Sequence, residues 1–287
     1  MLGQYLITFR ETFEAALISA IIFSYLTRTG RHRLTRFVWY GVCLAIAVSL
    51  GLGTLISLIY GILPKSYQQL FEAIGAFIAV IVLSSMIYWM AVKGRYIKKE
   101  MEQRVEAVTT KGSIIGLISI AFIVVFREGL ETVLFIMPFL LNEPIASLAG
   151  VVSGVTSALI LSYGIFMVGM KINLRRFFYF TSLLLILLAG GLAGYGTHEL
   201  IEYYEQIGFN IGWLAEPAYV LNIPEENILH HKNVIGSVFA VMLGYSVKPE
   251  WARVIIHLCY LAIALPSTIW MYRITFPYTH SKKPPQP

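Results

Sequence analysis

The sequence contains no aspartate; all 16 of its acidic residues are glutamate. Any carboxylate site in this chain is therefore a glutamate site. It has only two cysteines, Cys43 and Cys259, each inside an apolar run. That pattern implies no disulfide framework, and both read as small apolar packing residues. Charge is scarce: 13% of residues are charged and 57% are hydrophobic, with a mean hydropathy of +0.71. Soluble domains carry about a quarter charged residues, so this composition excludes one and points to an integral membrane protein.

A membrane-spanning helix needs about 20 predominantly apolar residues. The sequence offers seven such runs, at 4–28, 37–61, 71–93, 113–141, 146–170, 177–197 and 252–275. The first keeps its charges and runs past signal-peptide length without a small-residue cleavage site, so it reads as a retained helix. The net charge of +6 would suit nucleic acid, but its distribution argues otherwise. Basic stretches from Arg28 to Arg36, Lys93 to Lys111, Lys171 to Arg176 and Arg273 to Lys283 follow runs one, three, five and seven. The opposite side holds only Lys65, Lys232, Lys248 and Arg253. This bias places the N-terminus outside and the C-terminus in the cytoplasm. The basic residues are topology determinants in the lipid bilayer of the cell membrane, and no nucleic-acid partner is expected.

Two of the runs carry the same charged motif: Arg10-Glu11-Thr12-Phe13-Glu14 in the first and Arg127-Glu128-Gly129-Leu130-Glu131 in the fourth. A helix turns about 100° per residue, so Glu11 and Glu14 lie at about 100° and 40° from Arg10, on one face. Ionisable residues at membrane depth cost roughly 2.5 to 3.5 kcal/mol each on insertion scales, so they must meet one another or line a polar path. Each motif opens a block of three runs. Three is odd, so the second block enters the membrane from the opposite face, the inverted-repeat plan found in many transporters. The expected fold is all-α, with seven transmembrane helices arranged as a 3+3 inverted repeat plus one C-terminal helix. Its parts are repeat one (1–93), a cytoplasmic linker (94–112), repeat two (113–197), an external segment (198–250), the last helix (251–275) and a tail (276–287).

Together the motifs supply Glu11, Glu14, Glu128 and Glu131 as candidate metal ligands, with Arg10 and Arg127 in support. Oxygen donors without cysteine or histidine favour hard cations such as iron(III), manganese, calcium or magnesium over copper(I). Each arginine stands at i,i+4 from the distal glutamate, where it can keep that carboxylate ionised until a cation draws it away. A structural salt bridge would explain one motif, but not two at equivalent repeat positions.

Weaker candidates lie on the external side. Glu72 opens the third run, as an interfacial carboxylate or a ligand at the mouth. His198, Glu199 and Glu202 fall near one helical face after the sixth run and resemble a weak cation site. The second histidine of a His-Glu-x-x-His zinc helix is missing. The adjacent His230 and His231 point apart on a helix, and the apolar piece 234–245 is too short to span. Small residues in the second run (Gly41, Ser49, Gly53) and the Gly190-Gly191-Leu192-Ala193-Gly194 stretch of the sixth suit close helix packing.

The two Arg-Glu-x-x-Glu motifs in the first and fourth of seven runs resemble the high-affinity iron permease family, the oxidase-dependent iron transporters of fungi and bacteria. Phe9 to Leu17, Tyr25 to Arg31, Phe126 to Leu134, His198-Glu199-Leu200 and Leu243-Gly244-Tyr245 extend the likeness over nearly the whole chain; Thr12 departs from it where glycine is usual. The resemblance implies iron as transported substrate, with no tightly bound cofactor and no enzymatic activity. It also implies that Glu11, Glu14, Glu128 and Glu131 bind iron, commonly iron(III) delivered by a separate oxidase. The chain holds no copper cluster, flavin motif or haem-attachment motif of its own. Other readings keep the site and change the ion to manganese or lead, or make it a membrane-embedded carboxylate metalloenzyme. The second is weakened because no histidine lies in either motif helix. Whether the protein forms a homo-oligomer is left open.

Overall fold

The computed structural model describes residues 2–93, 97–142, 144–166, 174–224, 227, 236, 239, 240, 242 and 244–275. Among these are eight α-helices: α1 (Leu2–Arg28), α2 (Thr35–Ile62), α3 (Lys65–Lys93), α4 (Ile97–Thr110), α5 (Ile114–Asn142), α6 (Pro144–Phe166), α7 (Leu174–Gln206) and α8 (Trp251–Thr275). Each of the seven apolar runs becomes a helix. Five of these, α2, α3, α6, α7 and α8, are long and apolar enough to cross a membrane by length and composition alone. Helices α1 and α5 are as long, at 27 and 29 residues, but each is interrupted by three ionisable side chains.

Small residues decide which helices meet. On α2 the buried stripe is Val38, Gly41, Ala45 and Ser49, and on α6 it is Ser147, Gly150, Gly154, Ala158 and Ser162. A Cβ on Gly41 would stand 2.8 Å from the Ala121 Cβ on α5, and one on Gly154 would stand 2.8 Å from the Tyr5 carbonyl oxygen on α1. Thus α2 packs against α5, α6 against α1, and α3 against α7. The second helix of each block embraces the first helix of the other, so exchanging the blocks maps these pairings onto themselves. Helix α8 breaks the pattern by packing on α7 and α3.

Helices α1 and α5 run antiparallel. Ile7 shares one apolar cluster with Phe135 and Ile136, while Ile18 and Ile22 share another with Leu117 and Ala121. The charged motifs lie between these two clusters. The linker forms the amphipathic helix α4, whose buried Met101 and Val105 join the second cluster. Helix α1 ends at Gly30 (φ 71°), which supplies the left-handed residue of a Schellman cap: Arg31 N donates to Leu26 O at 2.8 Å.

Two expectations need correcting. Helix α7 does not end near 197: it runs to Gln206, so His198, Glu199 and Glu202 lie on its last two turns rather than in an irregular segment. Its glycines pack closely against neighbours, as their spacing suggests, Gly196 facing Ala76 and Gly194 facing Arg253. Cys43 and Cys259 are exposed, not packed inside. They share the outer surface with apolar side chains such as Leu50, Ile81, Ile160 and Trp270, the covering expected where lipid is the solvent. Glu225, Glu226, His230, His231 and half of 234–245 lie outside the described residues.

Candidate metal centre

Both motifs turn inward to one place. Arg10, Glu11, Glu14, Glu128 and Glu131 are all buried. Ligand oxygens of Glu11, Glu128 and Glu131 lie within 4.8 Å of one another, and among the described residues this is the group of histidine, cysteine or acidic side chains that could hold a metal ion. Small side-chain shifts would bring all three to the roughly 2 to 2.6 Å typical of oxygen-bound metals.

The two arginines sit differently. Arg10 Nη1 is 2.6 Å from Glu11 Oε1 and 2.8 Å from the Met86 sulfur on α3. Arg10 Nη2 approaches Glu14 Oε1 at 2.8 Å, but neither atom is aligned for a hydrogen bond. On α5, Arg127 Nε donates to Glu131 Oε1 at 2.9 Å. The Arg127 side chain is 43% exposed, and its guanidinium lies 4.9 Å above the Trp89 ring. Both expected i,i+4 pairs are present. The first arginine is a sealed clamp on two carboxylates, whereas the second reaches an open space.

Four glutamates against two arginines leave an excess of negative charge. Glu11 Oε2, Glu14 Oε1, Glu128 Oε2 and Glu131 Oε2 are buried without hydrogen-bond partners. Buried carboxylate oxygens in that condition are strongly unfavourable unless protonated or met by a cation. The donor set fits a hard cation. Glu14 stands apart from the other three, clamped by Arg10 and lining a cavity of ≈ 290 Å³ together with Arg127 and Glu128. Gly129 has a packing role: a Cβ there would stand 2.9 Å from the Ser49 Cβ on α2. Thr12, its counterpart, is half-buried on α1.

The weaker candidates gather around the other end of α7. Glu72 is buried and accepts hydrogen bonds from Tyr60 and Tyr195. His198 lies 3.2 Å from Glu202 and 2.8 Å from Glu250, and Gln69 donates to Glu202. Burial pushes the Glu250 carboxyl up, but the hydrogen bond and charge of His198 more than offset this and hold it below the ordinary glutamate value. These side chains pair with one another, leaving Gln69 Oε1 and Glu250 Oε2 without a hydrogen-bond partner, and the structure does not bring His198, Glu199 and Glu202 together as chelating ligands. Sequence reasoning missed Met86, Trp89, Tyr60, Tyr195 and Glu250. All are single residues on other elements, and none belongs to a motif.

The profile of the iron permease FTR1 family matches residues 1–270. An uncharacterized protein of Archaeoglobus fulgidus is 45% identical over 265 residues, covering 92% of this chain and 93% of that one. The ferrous iron permease EfeU of Escherichia coli is 35% identical over 273 residues, covering 92% and 94%. EfeU of Yersinia pestis is 32% identical, covering 92% of each chain. No solved structure matches. With both charged motifs inside the matched residues, the chain belongs to the iron permease FTR1 family.

Proposed function

We propose that iron crosses the membrane through the site of Glu11, Glu14, Glu128 and Glu131, as iron(III) supplied by a separate oxidase. The coarser statement follows from the family: this is a multi-pass membrane protein that transports iron, a permease and not an enzyme. The observation that carries the finer reading is the convergence of three buried glutamates from two antiparallel helices, each with an oxygen that lacks a hydrogen-bond partner.

The mechanism is an exchange of partners. Without iron, Arg10 and Arg127 neutralise part of the carboxylate charge. A cation arriving between the helices attracts the carboxylates more strongly than a guanidinium does, because its charge is higher and more compact. When the cation leaves, the arginines recapture them, so the emptied site does not hold bare charge. The proposal includes seven spans, α1 to α3, α5 to α7 and α8, arranged as inverted repeats with the N-terminus outside and α4 on the cytoplasmic face. The self-mapping helix pairs support the repeat, and the basic residues support the orientation. A membrane potential is worth about 2.3 kcal/mol per charge per 100 mV, enough to draw a cation inward.

Uptake of radioactive iron into proteoliposomes, offered as iron(II) and as iron(III), tests this, with manganese as a competitor. Glu14→Gln and Glu131→Gln are expected to abolish uptake while leaving iron-free melting near that of the native protein. Normal iron uptake by both variants would overturn the site; uptake of iron(II) alone would overturn the assigned oxidation state.

A further inference from the structure

The cavity beside the paired glutamates has a direction. At one end stand Glu14, Arg127 and Glu128; at the other stand Glu100 and Arg104, on α4. Its walls come from the α4 side of the motif on every helix. Leu17 follows Glu14 on α1, Val124 precedes Arg127 on α5, and Trp89 follows Met86 on α3. On the opposite side of the motif lie apolar packing around Ile7, Leu83, Phe135 and Leu188 and a second pocket of ≈ 230 Å³ that reaches Arg10 between apolar side chains such as Tyr5, Phe9 and Phe177. Of the two pockets beside the motif, the one lined by carboxylates opens toward the face that α4 covers.

Two features suit this cavity to a cation. Glu128 is 4% exposed, lines the cavity and has a buried oxygen without a hydrogen-bond partner. Glu14, also 4% exposed, lines the cavity with its Oε1 held 2.8 Å from Arg10 Nη2. Arg127 is drawn aside by Glu131 and the Trp89 ring. The volume of ≈ 290 Å³ holds about ten waters at about 30 Å³ each, room for a partly hydrated ion. At the far end the Glu100 carboxylate accepts from Arg104 Nη2 at 2.7 Å, with the two side chains 46% and 61% exposed. An exposed i,i+4 pair of this kind is weak and gives way to a multivalent cation.

We propose that Glu100 is a second cation-binding carboxylate, which takes a hard multivalent cation from Glu14 and Glu128 at the α4 end of the cavity, with Arg104 as its partner between passages. The proposal rests on the paired-glutamate reading above and extends it by one step. Glu100 would shorten the distance over which the cation travels without a carboxylate ligand, and its exposure lets water replace it. The weak partner at Glu100, set against the buried clamp at Arg10, makes the passage run from a tight site to a loose one.

The test uses the full-length protein, with radioactive iron binding in detergent and iron flux in proteoliposomes, for native, Glu100→Gln, Glu100→Asp, Arg104→Gln and Glu128→Gln. Native protein is expected to bind one cation tightly and a second weakly. Glu100→Gln is expected to keep the tight cation within about twofold, lose the weak one and lower flux at least fivefold, and Glu100→Asp to restore both. Arg104→Gln is expected to tighten the weak cation. Native flux in Glu100→Gln, or an equal loss of the weak cation in Arg104→Gln and Glu100→Gln, would overturn the proposal, the second by showing that the pair merely holds α4 together. Glu128→Gln separates the two readings: if it keeps tight binding and flux, the paired-glutamate site itself is wrong.

Discussion

Arg10 is the most informative residue to remove. Arg10→Met keeps an unbranched side chain of similar reach and deletes the guanidinium that faces Glu11 at 2.6 Å and Glu14 at 2.8 Å. Unit charges about 4 Å apart attract by about 4 kcal/mol at an effective dielectric of about 20. A cation that binds these carboxylates must displace that attraction. Part of the gain from removing the competitor is lost because the orphaned glutamates take up protons. The net expectation is binding tighter by roughly ten- to a hundredfold, about 1.4 kcal/mol per factor of ten. Iron-free stability should fall toward the roughly 3 to 5 kcal/mol cost of breaking a buried pair. Flux should also fall, because nothing recaptures the carboxylates when the cation leaves. Equilibrium binding of radioactive iron to the purified variant, thermal unfolding with and without iron, and uptake into proteoliposomes measure all of this. Binding unchanged or weaker in a folded variant would refute the exchange and make Arg10 an organiser of the site.

Two further outcomes follow from packing and titration. Gly129→Ala places a Cβ against Ser49 and should cost about 1 to 3 kcal/mol, as overpacking does, with slower iron uptake; the double variant with Ser49→Gly should recover both, read by melting and uptake. Glu250 has a depressed folded-state value, so its contribution to stability is present above the unfolded glutamate value of about 4.3 and is lost as pH falls through the lower folded value. Melting temperature against pH from 6 down to about 3 should therefore fall less steeply in Glu250→Gln than in the native protein; equal slopes would remove His198 as the cause.

Much of the arrangement was legible because membrane helices announce themselves by composition. Seven apolar runs became seven helices, and the two charged motifs stood out because, apart from Arg28 at the end of the first run, nothing else in those two runs is charged. The end of α7 was not legible. Gly190 and Gly194 read as close-packing residues and do pack on α8, but which helix they meet, and that the helix continues through Gly196, packed on α3, to Gln206, no local pattern reveals. The cysteines were misread for a related reason: in lipid, an apolar residue may face outward as readily as inward. Glu100 stands in the polar linker outside any motif, and its place in the cavity depends on how α4 packs against α1 and α5.

The sequence by itself determined that this is a helical membrane protein with two equivalent glutamate motifs, because burying charge in an apolar run is costly enough to leave few innocent explanations. Only the tertiary structure decided that three of the four glutamates converge while Glu14 turns to the cavity. It also decided that Arg10 is sealed and Arg127 open, and that the carboxylate-lined cavity lies on the α4 side. Helical periodicity determines the face on which a side chain stands, but the distance across to another helix is set by the small-residue contacts of α2 on α5 and α6 on α1.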